Sequence, residues 1–257
     1  MKFIRYQIKN HTGWLEFNRP GKHNAFHKEL LLELNGLLER ENQNPGLHSL
    51  VITGYGDKAF SSGVDLNALT QLDSVEKARE FAMLLEDTSE KIFRFSKPTL
   101  ALINGIALGG GLGFATAADI RIMSTEAKIG YPAVKLGAIL PATCTLYLNA
   151  LIGKGKAMDL LLTGKMLTAD EALDAGLVNY IYPPQEIKEQ TLLLSEKILE
   201  GGHLALNYTK RTVNYSLQKE IESAKIYAAD NFAFLSQTVE WKKRINAFAQ
   251  RKKMKKE

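Results

Sequence analysis

K-P-T-L-A-L-I-N-G-I-A-L-G-G-G-L-G-F-A-T-A-A-D, Lys97 to Asp119, is the stretch around which the chain is organised. Thr99 to Ile103 is a short apolar run between Pro98 and Asn104-Gly105, the pattern of a buried strand that ends in a turn. Gly109, Gly110, Gly111 and Gly113 follow, and each costs about 1 kcal/mol against alanine inside a helix. They fit a place where the backbone itself approaches something closely. Leu112 to Ala118 then opens an apolar, alanine-rich helix. A glycine turn opening a buried helix aims free N–H groups and a positive dipole end at one spot, which suits an anion or a developing oxyanion. A tight turn with close helix packing fits the same residues, and on this stretch alone the two readings stand level.

Outward from this centre, strands alternate with helices. Phe3 to Ile8 and Gly13 to Phe17 alternate apolar and polar residues, as a hairpin turning at Asn10 to Gly13 would. Leu30, Leu31, Leu34, Leu37 and Leu38 make a helical stripe over about residues 27–42, and Ser49 to Thr53 reads as a strand. Asp65 is placed to cap a short helix, and Ser74 to cap a longer one running to about Phe95. On the other side, Ile120–Met123, Ala127–Gly130 and Val178–Ile181 read as strands, and Tyr131 to Pro141 as a loop. Helices are expected over 143–151, 155–162 and 168–174, the last with a Thr168–Glu171 capping box, then over 185–200, 204–217, 219–235 and 237–250. The pattern predicts an α/β body over 1–200 and a helical C-terminal region over 201–257.

Composition narrows the function. The chain has 257 residues, 45% hydrophobic and 24% charged, which is globular usage. No apolar run is long enough to cross a bilayer, and the N-terminus has no leader pattern. The single cysteine, Cys144, excludes an internal disulfide and fits a reducing cytoplasm. The formal charge is +5, but residues 242–257 alone contribute +7 and leave −2 for the rest, so the basicity belongs to a tail. With no basic patch interleaved with aromatics, nucleic acid is not an expected partner. His11, His23, His27, His48 and His203 show no metal-ligand spacing. The glycine run fits neither the dinucleotide nor the P-loop fingerprint. A-F-S-S-G at 59–63 is one residue short of a nucleophile elbow, in which Ser61 would attack and His203 would be its base. Gly63, like Gly110, lies in a glycine turn that opens a helix. Two N–H groups from these turns would stabilise an enolate or a tetrahedral anion if they met.

The motifs together resemble the enoyl-CoA hydratase/isomerase, or crotonase, superfamily. They are N-R-P-x-x-x-N-A at 18–25, G-x-G-D-K-A-F-S-S-G-V-D-L at 54–66, the central stretch, A-A-D-I-R-I at 117–122, L-T-G-K-M-L-T-A-D-E-A-L-D-A-G-L-V-N at 162–179 and F-A-Q-R-K-K at 248–253. The resemblance implies a spiral of repeated ββα units with a helical C-terminal trimerisation region, assembling as a homotrimer or a dimer of trimers. It implies an acyl-CoA thioester as substrate and no separate cofactor. It also implies an oxyanion hole made by the N–H groups of Val64 and Gly110. CoA contacts would fall near Lys22, His23, Ala25, Ser61, Gly63, Asp65 and Leu66, with Phe248 and Arg251 reaching CoA from a neighbouring subunit.

The same resemblance exposes departures. The positions of the two hydratase glutamates hold Gly113 and Ala133, and the isomerase acid position holds Pro141. Hydration needs a base for water and an acid for the α-carbon, which glycine, alanine and proline cannot supply. Isomerisation, decarboxylation or another one-acid reaction suits these positions better. Tyr131 is the first replacement candidate, ahead of Thr143, Cys144, His23, Lys135, Asp65 and Asp119. A binding protein that holds acyl-CoA or a partner without turnover is the alternative, and a Ser61 hydrolase a third.

Overall fold

The computed structural model describes residues 1–254, with side chains through residue 250. The opening hairpin is β1 (Ile4–Lys9) and β2 (Thr12–Phe17), joined through Asn10 and His11, both at positive φ. Then come α1 (Lys28–Asn42), β3 (Ser49–Gly54), β4 (Ala59–Ser61), α2 (Leu66–Thr70) and α3 (Val75–Phe93). The central stretch forms β5 (Thr99–Ile103), β6 (Ile106–Leu108) and α4 (Gly110–Ala117). Beyond it lie β7 (Ile120–Ser124), β8 (Ile129–Gly130), a 3-10 turn (Pro132–Leu136) and α5 (Ala142–Thr163). The chain continues with β9 (Met166–Leu167), α6 (Ala169–Asp174), β10 (Tyr180–Tyr182) and α7 (Ile187–Leu199). It ends in α8 (His203–Val213), α9 (Tyr215–Ser236) and α10 (Val239–Met254).

A six-stranded sheet has the order β1-β2-β3-β5-β7-β10, parallel except for the hairpin. A second sheet, β4-β6-β8-β9, lies beside it. In three successive ββα units the first strand joins the large sheet and the second joins the small one, so the chain advances as a spiral. Strands β3 and β5 are buried at every position, which is why they read as unbroken apolar runs rather than as alternation.

Several sequence expectations are refined. The two helices expected over 143–162 are one element, α5, kinked where Gly153 takes a positive φ of 75°. Part of the loop expected between Tyr131 and Pro141 is the 3-10 turn, closed by Gly137 in the left-handed region. The last strand lies at Tyr180–Tyr182 rather than 178–181, and the break between α8 and α9 falls at Asn214. The capping box at Thr168–Glu171 and the Asp65 and Ser74 caps are formed as the residues dictate.

The C-terminal helices fold back on the body. Trp241 and Ile245 of α10 and Phe232 of α9 pack with Leu69, Ala78 and Ala82 in an apolar cluster. Against that cluster lie Val64, Leu66, Met83, Leu136 and Ile139. The cluster therefore walls the turn that follows β4.

Candidate active site

Strands β4 and β6 are parallel neighbours, with Ala59 opposite Ile106 and Ser61 opposite Ala107. Each runs into a glycine turn and then a helix, so the two turns emerge side by side at the C-terminal ends of paired strands, where ligands bind in open α/β sheets. The approach is close. A Cβ on Gly63 would lie 2.6 Å from the Leu108 carbonyl oxygen and 3.3 Å from the Gly110 nitrogen, and Gly63 holds φ at +84°, so the position demands glycine.

Val64 forms an isolated parallel bridge with Phe26. In it the Phe26 N–H donates to the Gly63 carbonyl at 2.8 Å, and the Asp65 N–H donates to the Phe26 carbonyl at 2.7 Å. Successive N–H groups of extended chain point to opposite sides, so the Val64 N–H points away from Phe26. Gly110 is the first residue of α4 and its N–H has no intrahelical acceptor. Among the described residues neither N–H donates to a protein acceptor.

The N-terminal loop is stitched to the same turn. The Ser62 N–H donates to the His23 carbonyl at 2.9 Å, and His23 and Asn24 hold positive φ. Arg19 donates to the Ala25 carbonyl at 2.5 Å and to the Asp65 carboxylate at 3.0 Å. Burial works against a charged Asp65, but the Asn67 N–H and Arg19 outweigh it and hold the carboxyl below its usual range. Arg19 carries no role in the sequence reading, although the N-R-P motif contains it. Lys22 and His23 are exposed, Ala25 and Gly63 are buried, and Leu66 packs on the α9–α10 cluster. A cavity of about 460 Å³ opens beside Asp65, lined also by Arg19, His27, Lys28, Lys77 and Glu80.

The Ser61–His203 pair is not assembled. The Ser61 hydroxyl is fully buried, donates to the Asn24 carbonyl at 2.8 Å and accepts the Gly63 N–H at 3.1 Å. His203 stacks instead on His48, before the start of β3, whereas Ser61 ends β4. Ser61 is a turn-forming residue.

Where the resemblance places acid/base groups, the wall is built differently. A Cβ at Gly113 would lie 2.0 Å from the Cys144 sulfur, so the thiol of α5 stands where a side chain at 113 would project. Tyr131 is also buried, within 3.4 Å of the Thr116 hydroxyl. Thr116 spends its proton on the Gly113 carbonyl, so the phenol is the donor of that pair. Burial pushes the Tyr131 phenol and the Cys144 thiol up, which keeps both protonated. Behind Cys144 lies Glu86 of α3, which the sequence reading missed. Its carboxylate accepts from the Ala142 N–H at 2.5 Å, the Thr143 N–H at 3.1 Å and the Thr143 hydroxyl at 2.8 Å. At the far end, Phe248 is 45% exposed on α10. Arg251 lies on the same helix, but its side chain is outside the described residues.

Comparison with known proteins agrees with this architecture. A family model described as enoyl-CoA hydratase/isomerase matches residues 7–257. The chain is 37% identical over 239 residues to a crotonyl-CoA hydratase of Syntrophomonas wolfei, covering 93% of this chain and 92% of that protein. It is 31% identical over 237 residues to a short-chain-enoyl-CoA hydratase of Clostridium acetobutylicum, covering 92% and 90%. The crystal structure of an enoyl-CoA hydratase from Bacillus halodurans superposes with a TM-score of 0.88 at 29% identity, over 96% of this chain and all of that one. The spiral of ββα units, the paired glycine turns and a match along nearly the whole length make this chain a member of the enoyl-CoA hydratase/isomerase family.

Proposed function

We propose that this protein binds an acyl-CoA thioester, holds its carbonyl oxygen between the N–H groups of Val64 and Gly110, and stabilises the enolate formed when an α-proton leaves. The observation that carries this reading is the approach of the two glycine turns, each ending in an N–H without an acceptor among the described residues. Donors already in place cost no reorganisation when charge develops, and each is worth about 3–4 kcal/mol of barrier. The apolar cluster behind Val64 supports an acyl chain and keeps water away. The loop of Lys22, His23 and Ala25, the turn of Ser61, Gly63, Asp65 and Leu66, and the basic tail with Phe248 and Arg251 are the proposed grips on CoA. Exposed Ile226, Tyr227 and Phe234 along α9 favour a homotrimer or a dimer of trimers, and the unpaired Cys144 favours a cytoplasmic setting. Isomerisation or decarboxylation, rather than two-carboxylate hydration, suits a wall made of Gly113, Ala133 and Cys144.

The test is α-proton exchange. The protein is incubated with saturated acyl-CoA esters in heavy water, deuterium uptake is followed by mass spectrometry, and affinity is measured in parallel. Gly110→Pro deletes one donor at the first helical position, where proline is tolerated. Uptake above the buffer rate, reduced about 100-fold or more by Gly110→Pro, is the expected result. Equal uptake by both proteins overturns the oxyanion assignment, and failure to bind any acyl-CoA overturns the ligand. The lack of a carboxylate at 113 and 133 favours one second reading, an acyl-CoA-binding protein without turnover. Tight binding with no uptake would establish it.

A further inference from the structure

The Val64 N–H is aimed by a bond it does not itself make. It belongs to the same peptide as the Gly63 carbonyl, and in a trans peptide the two point in opposite directions. The Phe26 N–H holds that carbonyl at 2.8 Å, and the Phe26 carbonyl accepts the Asp65 N–H at 2.7 Å. The backbone at Phe26 therefore sets the direction of the Val64 donor. One side chain braces both strands of this bridge. Arg19 donates through one guanidinium nitrogen to the Ala25 carbonyl, next to Phe26, and through another to the Asp65 carboxylate, next to Val64. The side chains of Arg19 and Asp65 are 17% and 13% exposed, so the pair is largely shielded from water and salt. The main chain of Arg19 is fixed in turn. Its N–H donates to the Asn24 side-chain oxygen at 2.9 Å, and its carbonyl accepts the Asn24 N–H at 2.9 Å. The Asp65 carboxylate also accepts the Asn67 N–H at 3.1 Å, which carries the brace on into α2. A planar fork on two acceptors fixes distance and orientation together, which a single point charge cannot do.

We infer that Arg19 is the positioning residue for the oxyanion donor at Val64: by clamping Ala25 to Asp65 it holds the Gly63–Val64 peptide in the orientation that serves the thioester oxygen. This rests on the enolate reading above and names the group that keeps one of its two donors in place. Arg19 itself touches no reacting atom. Without Arg19 the bridge keeps its two main-chain bonds but loses its lateral brace, and the peptide is free to rock. Gly63, at φ +84° and without a side chain, adds no stiffness of its own. A misplacement of about 1 Å at a group that orients the reaction costs about 100-fold in rate. Affinity is spared, because the ligand is gripped mainly through CoA. The cavity of about 460 Å³ beside Asp65 is lined by both partners of the brace. A small cation from solution can therefore reach the carboxylate once the Arg19 side chain is cut back.

The experiment measures deuterium uptake by a saturated acyl-CoA, acyl-CoA affinity and thermal melting for the wild type, Gly110→Pro, Arg19→Lys and Arg19→Ala. Arg19→Ala is also assayed in millimolar guanidinium chloride, with sodium chloride at equal ionic strength as the control. The expected result is uptake lower by about 100-fold in Arg19→Ala and by at least about tenfold in Arg19→Lys, with affinity within about threefold of wild type. Guanidinium should recover about tenfold of the loss in Arg19→Ala and leave the wild type unchanged, since it restores the fork at Asp65. A brace that serves stability alone would lower melting while uptake per folded protein stayed within about threefold of wild type, and that outcome overturns the assignment. A loss that guanidinium restores no better than sodium chloride overturns it too. If Arg19→Ala does not fold, Arg19→Lys decides by uptake and affinity. No uptake by the wild type removes the enolate reading and this assignment with it, whereas uptake sensitive to Gly110→Pro but to neither Arg19 variant removes this assignment only.

Discussion

Gly113 and Cys144 are predicted to be energetically one site. An alanine Cβ at 113 would stand 2.0 Å from the Cys144 sulfur and 3.1 Å from its Cβ. Contact distance for such atoms is about 3.5–4 Å, so the sulfur must retreat by more than about 1.5 Å. It has nowhere to go, because Cys144, Thr143, Ser89 and Tyr131 are all buried. Overpacking of this kind costs up to about 3 kcal/mol, offset by about 1 kcal/mol of helix propensity when glycine becomes alanine. Gly113→Ala should therefore lose about 2 kcal/mol. Cys144→Ala removes a buried sulfur and leaves a small void, a loss of about 1.5 kcal/mol. Combined, the new methyl occupies the space the sulfur left, and the double variant should return to within about 0.5 kcal/mol of wild type. Simple addition predicts about 3.5 kcal/mol, so the coupling is about 3 kcal/mol. Urea unfolding of the four proteins at one fixed protein concentration measures it, since association would otherwise enter the stability. Additivity within about 0.5 kcal/mol would refute the placement of the thiol beside Gly113.

Two further outcomes follow from the same contacts. Asp65 has its carboxyl held below the ordinary range, so its contribution is present above about pH 4 and is lost as pH falls through the folded-state value. Asp65→Asn should cost about 1.5–3 kcal/mol at pH 7, and the deficit should shrink steadily as pH is lowered below about 4, read as melting temperature against pH; a deficit that does not change on acidification would sink the argument. Trp241 is 3% exposed and packs edge-on to Phe232 at 5.3 Å. Trp241→Ala should release α10 before the body unfolds, raising amide exchange over residues 239–250 while β3 and β5 stay protected; unchanged exchange there would show that α10 is held by something else.

The large sheet was legible in the sequence because β3 and β5 are buried at every position and read as unbroken apolar runs, while the opening hairpin alternates. The small sheet was legible only in part. Strand β8 fell inside a segment read as a strand, but β4, β6 and β9 have two or three residues each and leave no periodic trace. Their register comes from partners about 40 to 50 residues away. The glycine turns could be read as backbone approaching something. That they approach each other depends on β4 pairing β6, which no local pattern carries.

The wall beside Gly113 was illegible for a more specific reason. Glu86 follows Leu85 on a helix whose apolar stripe explains Phe81, Leu85 and Ile92, and a glutamate beside such a stripe ordinarily faces water. It is buried because the N–H groups of Ala142 and Thr143, free at the start of α5, meet it across the interface. The sequence separation is 56 residues, and a carboxylate capping another element's helix has no local signature. Cys144 is similar, since nothing around it reports that residue 113, on the facing helix, is a glycine. Yet the two positions constrain each other. With glycine at 113 the α4 face is open, and a side chain from α5 must fill it; with anything larger there, the sulfur has no room. The side chain that packs beside Gly113 is therefore set by α5 rather than α4.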